Sequence, residues 1–153
     1  MSNHTLHIRP YHKNDQPQLI NLLQLNTPKY FSQEEEIDFI HYLEKEREDY
    51  FVVEISSKIV GCGGINTQGN IGILSWAFLH LDFQQQGIGG QLLKYRIQHL
   101  LQQKNSSKIQ VRTSQLVEPF YRKNGFQLIE IKKDYWAKGF DLYFMEYQKQ
   151  LLK

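Results

Sequence analysis

Between Leu79 and Leu93 the sequence reads LHLDFQQQGIGGQLL, with Gln84, Gln85 and Gln86 leading into Gly87, Ile88, Gly89 and Gly90. A strand-like apolar run precedes this turn and a helix-like run follows it. A helix that starts here leaves the N–H groups of its first turn without intrahelical partners and carries about half a positive charge at that end. Glycines remove the side chains that would keep an anion away from those N–H groups. The chemistry on offer is therefore an anion cradle, and the plain alternative is a tight strand-to-helix turn. Neither the Gly-Lys-Ser/Thr of a nucleotide phosphate loop nor a Gly-x-Gly-x-x-Gly after the first strand is present.

Other reactive groups are sparse. The lone cysteine, Cys62, rules out an internal disulfide framework, and nothing beside it in sequence would lower its pKa. His4, His7, His12, His41, His80 and His99 do not cluster, and no Cys/His spacing suits zinc, so no metal is expected. Glu34, Glu35, Glu36 and Asp38 form an acidic run that reads either as a solvated helix start or as an attraction for a cation.

These residues need elements to position them. Thr5–His12 alternates as a first strand, and QPQLINLLQLN after Asn14 and Asp15 has helical spacing through Leu19, Leu22 and Leu23. Ser32 with Glu35 forms a capping-box pattern that opens a second helix from Gln33 to about Arg47, with Ile37, Ile40 and Leu43 on its buried stripe. DYFVVEISS and KIVGCGGINT read as a hairpin, and IGILSWAFLHL as the strand that runs into the glycine turn. A helix from about Ile88 to Gln103, the strand KIQVRTSQ, a short helix LVEPFYRKNG and two strands joined by the loop DYWAKG complete the chain. The order β-α-α-β-β-β-α-β-α-β-β, with no repeat or linker, predicts one α/β (α+β) domain over 1–153. Its expected form is a mixed, mostly antiparallel sheet of about seven strands flanked by four helices.

Composition limits the partners. The 153 residues are 41% hydrophobic and 22% charged, which is ordinary for a globular chain, and nine tyrosines, nine phenylalanines and two tryptophans promise an aromatic core or pocket wall. A net charge of +2 gives no footprint for nucleic acid. The polar start MSNHTLHIRP does not resemble a signal peptide, and the apolar run Ile71–Leu81 is far short of the roughly 20 residues of a membrane span. A cytoplasmic protein with no membrane or nucleic-acid partner is expected. The exposed final strands would allow a homodimer.

Gln84-x-x-Gly87-x-Gly89 between a strand and a helix resembles the acetyl-coenzyme A signature of the GNAT superfamily of N-acetyltransferases. IRPYHKND resembles the family's first strand, KIVGCGGI its third, and PFYRKNGFQLIEI its Phe-Tyr-x-x-x-Gly-Phe segment. Leu81 stands where proline is usual and Gln85 where glycine is frequent, and neither change removes the cradle.

The resemblance implies acetyl transfer from acetyl-coenzyme A to a primary amine of a small molecule or peptide, by direct attack in a ternary complex. It implies that the N–H groups of Gln84, Gln85, Gln86, Gly87, Ile88, Gly89 and Gly90 hold the pyrophosphate. The backbone around Leu79 and Leu81 would pair with the pantetheine arm, between the splayed strands ILSWAFLHL and KIQVRTSQ. Ser114 falls where relatives often have an asparagine touching the coenzyme, or else caps the helix after it. Tyr121 would protonate the leaving thiolate. Relatives often carry a glutamate on the strand before the loop, but residues 71–81 contain no carboxylate. Glu54, His80, Asp82, Glu118 and a water relay stay open as the base, and none is assigned. Tyr135 and Trp136 either wall the acceptor pocket or pack on the sheet. The same fold could also serve as a non-catalytic acyl-coenzyme A sensor, which would need the cradle but not Tyr121.

Overall fold

The computed structural model describes residues 5–148, and among these a single seven-stranded sheet runs in the order β1-β2-β3-β4-β5-β7-β6. The strands are β1 (Leu6–Pro10), β2 (Asp49–Ile55), β3 (Lys58–Gln68), β4 (Ile71–Leu79), β5 (Lys108–Thr113), β6 (Phe126–Ala137) and β7 (Phe140–Tyr147). Four α-helices connect them: α1 (Gln16–Leu25), α2 (Glu35–His41), α3 (Ile88–Gln102) and α4 (Glu118–Lys123). All neighbouring strands are antiparallel except β4 and β5, which the crossover through α3 makes parallel. The expected element order and mixed sheet are what the chain forms.

The period-2 alternation of β2 shows how the core is divided. Tyr50 and Val52 face one apolar cluster with Leu19, Leu22, Leu23 and Phe39 of α1 and α2. Phe51 and Val53 face the other, with Ile88, Leu92, Leu93 and Ile97 of α3. Both faces of the sheet are thus covered, and the chemistry must enter at an edge or a gap.

The gap lies between β4 and β5. Their ladder pairs Ile71–Leu74 with Lys108–Val111 and stops there, while β4 continues to Leu79. A bulge drives the two apart. Trp76 adopts φ 44°, a left-handed conformation that a bulky residue takes only when its surroundings impose it, and the β3–β4 register slips opposite it between Cys62 and Gly64. The Tyr50 hydroxyl donates to the Trp76 carbonyl at 2.6 Å and holds the bulge in place. Gly64 is needed here for space, since a Cβ would sit 2.4 Å from the Tyr50 ring.

Three sequence expectations are revised. The second helix is shorter, with one turn of π-helix over Tyr42–Glu46, and its buried stripe is Glu35, Phe39, Tyr42 and Leu43. Ile37 is 74% exposed and Ile40 only half-buried. The sequence DYWAKG is not a loop: β6 continues to Ala137, bulging at Asp134 (φ 54°), and the turn is confined to Lys138 and Gly139. β4 ends at Leu79, so His80 and Leu81 belong to a short 3-10 turn rather than to the strand.

Candidate active site

The glycine turn is built as a cradle. Gly87 caps α3 at φ 80°, ψ −1°, a region that glycine reaches without steric cost. The first internal bond of the helix runs from Gln91 N–H to the Gly87 carbonyl, so the N–H groups of Ile88, Gly89 and Gly90 have no intrahelical acceptor. A Cβ on Gly87 or Gly90 would meet nothing within 4 Å, so the space in front of these amides is open. Two side chains fix the turn from the α1–α2 side. Asn26 Nδ2 donates to the Leu79 carbonyl at 2.9 Å, and the Tyr30 hydroxyl donates to Gln84 Oε1 at 3.4 Å.

A cavity of about 530 Å³ runs from this cradle along the free edge of β4 to α4. It gathers Leu79, Gln84, Gln85, Gly87, Gly89, Gly90 and Tyr121 from the residues singled out in the sequence. Leu81 and Gln86 are outside its wall, and the Ile88 side chain is buried in the core beneath it. Ser114 lies elsewhere: its hydroxyl accepts the Leu116 N–H at 3.2 Å in the turn ahead of α4, whose N-terminus at Val117 has no side-chain cap, and it faces a second cavity.

That second cavity, about 520 Å³, opens on the other side of the β4–β5 gap and is walled by rings. Phe31, Tyr42, Trp76, Trp136 and Phe140 line it, with the Trp136 indole N–H fixed to the Thr113 carbonyl at 3.0 Å. Tyr135 remains exposed beside it. The two cavities share Tyr30, Phe31, Ala77, Val117 and Tyr121. Tyr121 is 5% exposed, clamped edge-on between Phe120 and Phe126, and its hydroxyl makes no hydrogen bond with the described residues.

The carboxylates and the imidazole weighed as bases are occupied or remote. Glu54 is at 3.0 Å from Arg9 toward the far edge of the sheet. His80 Nδ1 accepts the Asp82 N–H at 3.1 Å, closing the 3-10 turn, and Asp82 is exposed. Glu118 is buried in an ion pair with Arg122. Cys62 is fully buried, and burial pushes its thiol up to about 12, which removes it as a nucleophile near neutral pH.

Two polar residues of the cavities were not named among the catalytic or coenzyme-binding candidates in the sequence, although Glu35 was read there as a capping-box residue and part of an acidic run. Glu35 is the one acid of its run that turns inward, 7% exposed in the wall of the ring-lined cavity. Its Oε2 accepts the Ser32 N–H at 3.3 Å, and Oε1 takes no hydrogen bond from the described residues. Burial raises this carboxyl to about 7 against the lowering pull of the Ser32 N–H, with Asp38 and Glu34 adding repulsion. The capping-box spacing was the signal that this glutamate points back into the fold. Arg96, 1% exposed, reaches the coenzyme-side cavity from α3 and donates from Nη1 to the Gly64 carbonyl at the bulge, at 3.0 Å. Among the described residues no carboxylate pairs with it, an arrangement that costs several kcal/mol unless other dipoles compensate. Its place on the stripe with Leu92, Leu93 and Leu100 could have been read from the sequence.

A strand-turn-helix anion cradle that shares Tyr30, Phe31, Ala77, Val117 and Tyr121 with a separate polar-and-aromatic cavity is an arrangement suited to group transfer between two ligands. Comparison with known proteins agrees. The profile of the acetyltransferase (GNAT) domain matches residues 22–149, and the chain belongs to that family and is an acyltransferase. The ribosomal-protein-S18-alanine N-acetyltransferase from Escherichia coli has a similar structure, with 19% identity, a TM-score of 0.78, and coverage of 94% of this chain and 93% of that one. So does the PaiA N-acetyltransferase from Thermoplasma acidophilum in complex with coenzyme A, at 16% identity and TM-score 0.73, covering 94% and 99%. An aminoglycoside 6'-N-acetyltransferase complexed with coenzyme A gives 14% identity and TM-score 0.74, covering 92% and 95%. No curated protein matches the sequence. Acetyl-coenzyme A is the usual donor in this family, and the free amides at the start of α3, beside a cavity lined by Gly87, Gly89 and Gly90, have the chemistry that its phosphates require.

Proposed function

We propose that the chain is an N-acetyltransferase that moves an acetyl group from acetyl-coenzyme A to a primary amine by direct attack in a ternary complex. The observation that carries this reading is the meeting of two cavities at Tyr121 and Ala77, where β4 parts from β5. A module that only sensed acyl-coenzyme A would need the first cavity and not the second.

The residues take the following parts. The N–H groups of Ile88, Gly89 and Gly90, at the positive end of α3, hold the pyrophosphate. The edge of β4 from Ser75 to Leu79, left unpaired toward β5, offers backbone groups to the peptide-like pantetheine arm, as an added strand would use them. The bulge at Trp76 sets the angle of that edge, and Arg96 keeps the bulge in place through Gly64. Ser114 closes the turn that leads into α4, the helix that carries Tyr121.

As the nitrogen–carbon bond forms, the carbon–sulfur bond breaks and its electron pair leaves on sulfur. The incoming ammonium gives up two protons in all: one reaches solvent, and the other restores Tyr121 after its phenol has protonated the sulfur. A phenol (pKa about 10) donating to a thiolate (conjugate acid about 8.5) works against a modest gradient, which the product thiol makes up by leaving.

The test is acetyl-coenzyme A-dependent thiol release with a panel of primary amines at pH 8. Amine-stimulated release that falls in Tyr121→Phe, with coenzyme binding intact, supports the reading. Coenzyme binding without release for any amine turns it toward the sensor.

A further inference from the structure

The ring-lined cavity contains a buried acid with an unused oxygen and no cation beside it. Glu35 pairs with no lysine or arginine among the described residues, and its single hydrogen bond comes from the Ser32 backbone. Isolated carboxylates are not kept buried without compensation, because taking one out of water costs several kcal/mol. A cap bond to an N–H satisfies one oxygen only. The rings of Phe31, Tyr42, Trp76 and Trp136 supply faces that attract a cation and apolar area that accepts its stem. Arg112, the cation of the wall, makes no ion pair with Glu35, so the acid is left to match a small positive charge on an apolar body.

We infer that the Glu35 carboxylate anchors the ammonium of the acceptor and takes its first proton, and that the cavity selects primary amines carried on an apolar or aromatic stem. This rests on the acetyltransfer reading above and names its acceptor class and its base. Tyr121, in the wall common to both cavities, is then the acid and Glu35 the base, approaching the reacting centre from α4 and from α2. The proton leaves nitrogen for a Glu35 oxygen, and the freed nitrogen lone pair forms the new bond to carbon.

Several other groups face the cavity or its rim. They are Glu46 on the π turn, Arg112 on β5, and the phenols Tyr30, Tyr42 and Tyr121, while Glu34 and Asp38 repel the Glu35 charge from the exposed side of the helix. A pH effect on amine binding is therefore assigned to Glu35 by substitution, not by the curve alone. Glu35→Gln keeps an oxygen for the Ser32 N–H and removes the charge.

The experiment is calorimetric titration with 2-phenylethylamine and, as its neutral counterpart, 2-phenylethanol, with and without saturating coenzyme A. The wild type, Glu35→Gln and the control Glu36→Gln are compared at pH 8, with circular dichroism to confirm folding. Glu36 is chosen because it bonds outward to Gln24 Nε2 at 3.0 Å. The expected result is at least a tenfold loss of amine affinity in Glu35→Gln, none in Glu36→Gln, and no effect on the alcohol. In the wild type the affinity should fall at least tenfold between pH 8 and pH 5, and Glu35→Gln should lack that fall. Amine binding equal in wild type and Glu35→Gln, or no amine binding by the folded wild type, overturns the inference. Titration of the same proteins with acetyl-coenzyme A separates the two failures: retained coenzyme binding sinks the acceptor assignment alone, whereas its absence sinks the acetyltransfer reading.

Discussion

The two sides of the β4–β5 gap are built from different materials. On the side we propose for the coenzyme, contiguous backbone forms the wall: Gly87 to Gly90 present amides at a helix end, and side chains are removed to make room. On the side we propose for the acceptor, scattered side chains do it: Glu35 from α2, Trp76 from a bulge in β4, Trp136 from the end of strand β6. A site made from backbone is written as a short local motif. One made from side chains is assembled by topology, and its parts lie about a hundred residues apart.

The largest effect that would sharpen this contrast is on Tyr121, one of the five residues both sides share. Tyr121→Phe should lower amine-dependent turnover by about 100-fold or more, the usual worth of a positioned acid, while acetyl-coenzyme A affinity changes less than about threefold. Steady-state kinetics beside calorimetry reads both quantities, and equal loss in each would make Tyr121 a packing residue of α4.

The acceptor wall should also be the costlier one to erode. Phe39 is fully buried against Trp76 at 5.1 Å and Phe78 at 5.3 Å, so Phe39→Ala should cost about 3–5 kcal/mol in urea denaturation. Its helix neighbour Ile37→Ser should stay within about 0.5 kcal/mol. The sequence placed the isoleucines of α2 inward, and the structure places Glu35, Phe39 and Tyr42 there instead. Hydrophobicity alone pointed to Ile37, but the aromatic cluster around Trp76 set the rotation of the helix. No local pattern encodes that cluster, because Trp76 and Tyr50 reach it from other strands.

A smaller effect concerns the buried acid. From pH 4.5 to about 7 the unfolded chain has lost the Glu35 proton while the folded chain keeps it, so stability falls as pH rises across that window. Glu35→Gln should therefore be about 1–3 kcal/mol more stable than wild type at pH 8, with the gap shrinking toward zero by pH 4.5. Urea midpoints at the two pH values check this, and a variant no more stable at pH 8 would mean that the carboxylate is already compensated.

Smaller still is the cost of filling the cradle. Gly87→Ala forces a side chain into φ 80° and should lose about 1–2 kcal/mol of stability. Its Cβ meets no protein atom, so any further loss of acetyl-coenzyme A affinity reports on the ligand.

The glycine turn Gln84-x-x-Gly87-x-Gly89 and the Phe120-Tyr121 pair were thus singled out before folding, and the structure lines one cavity with both. The order of the elements was legible too, and it set the parallel crossover and hence the gap. Leu81, Gln86 and Ile88 were read with the cradle because they are its neighbours in sequence, yet their side chains lie outside the cavity wall. Glu35 was visible as one acid in a run of four and as the partner of Ser32 in a capping-box spacing, of which the half from the Ser32 N–H to the Glu35 carboxylate forms; that it faces a cavity appears once the helix has a place on the sheet.

The account depends first on the cradle holding its coenzyme, and calorimetric titration of the folded protein with acetyl-coenzyme A tests that most directly. One-to-one binding in the micromolar range, weakened at least tenfold in Gly87→Val, is the result predicted. A folded wild type that releases no heat and shows no binding would contradict the central claim.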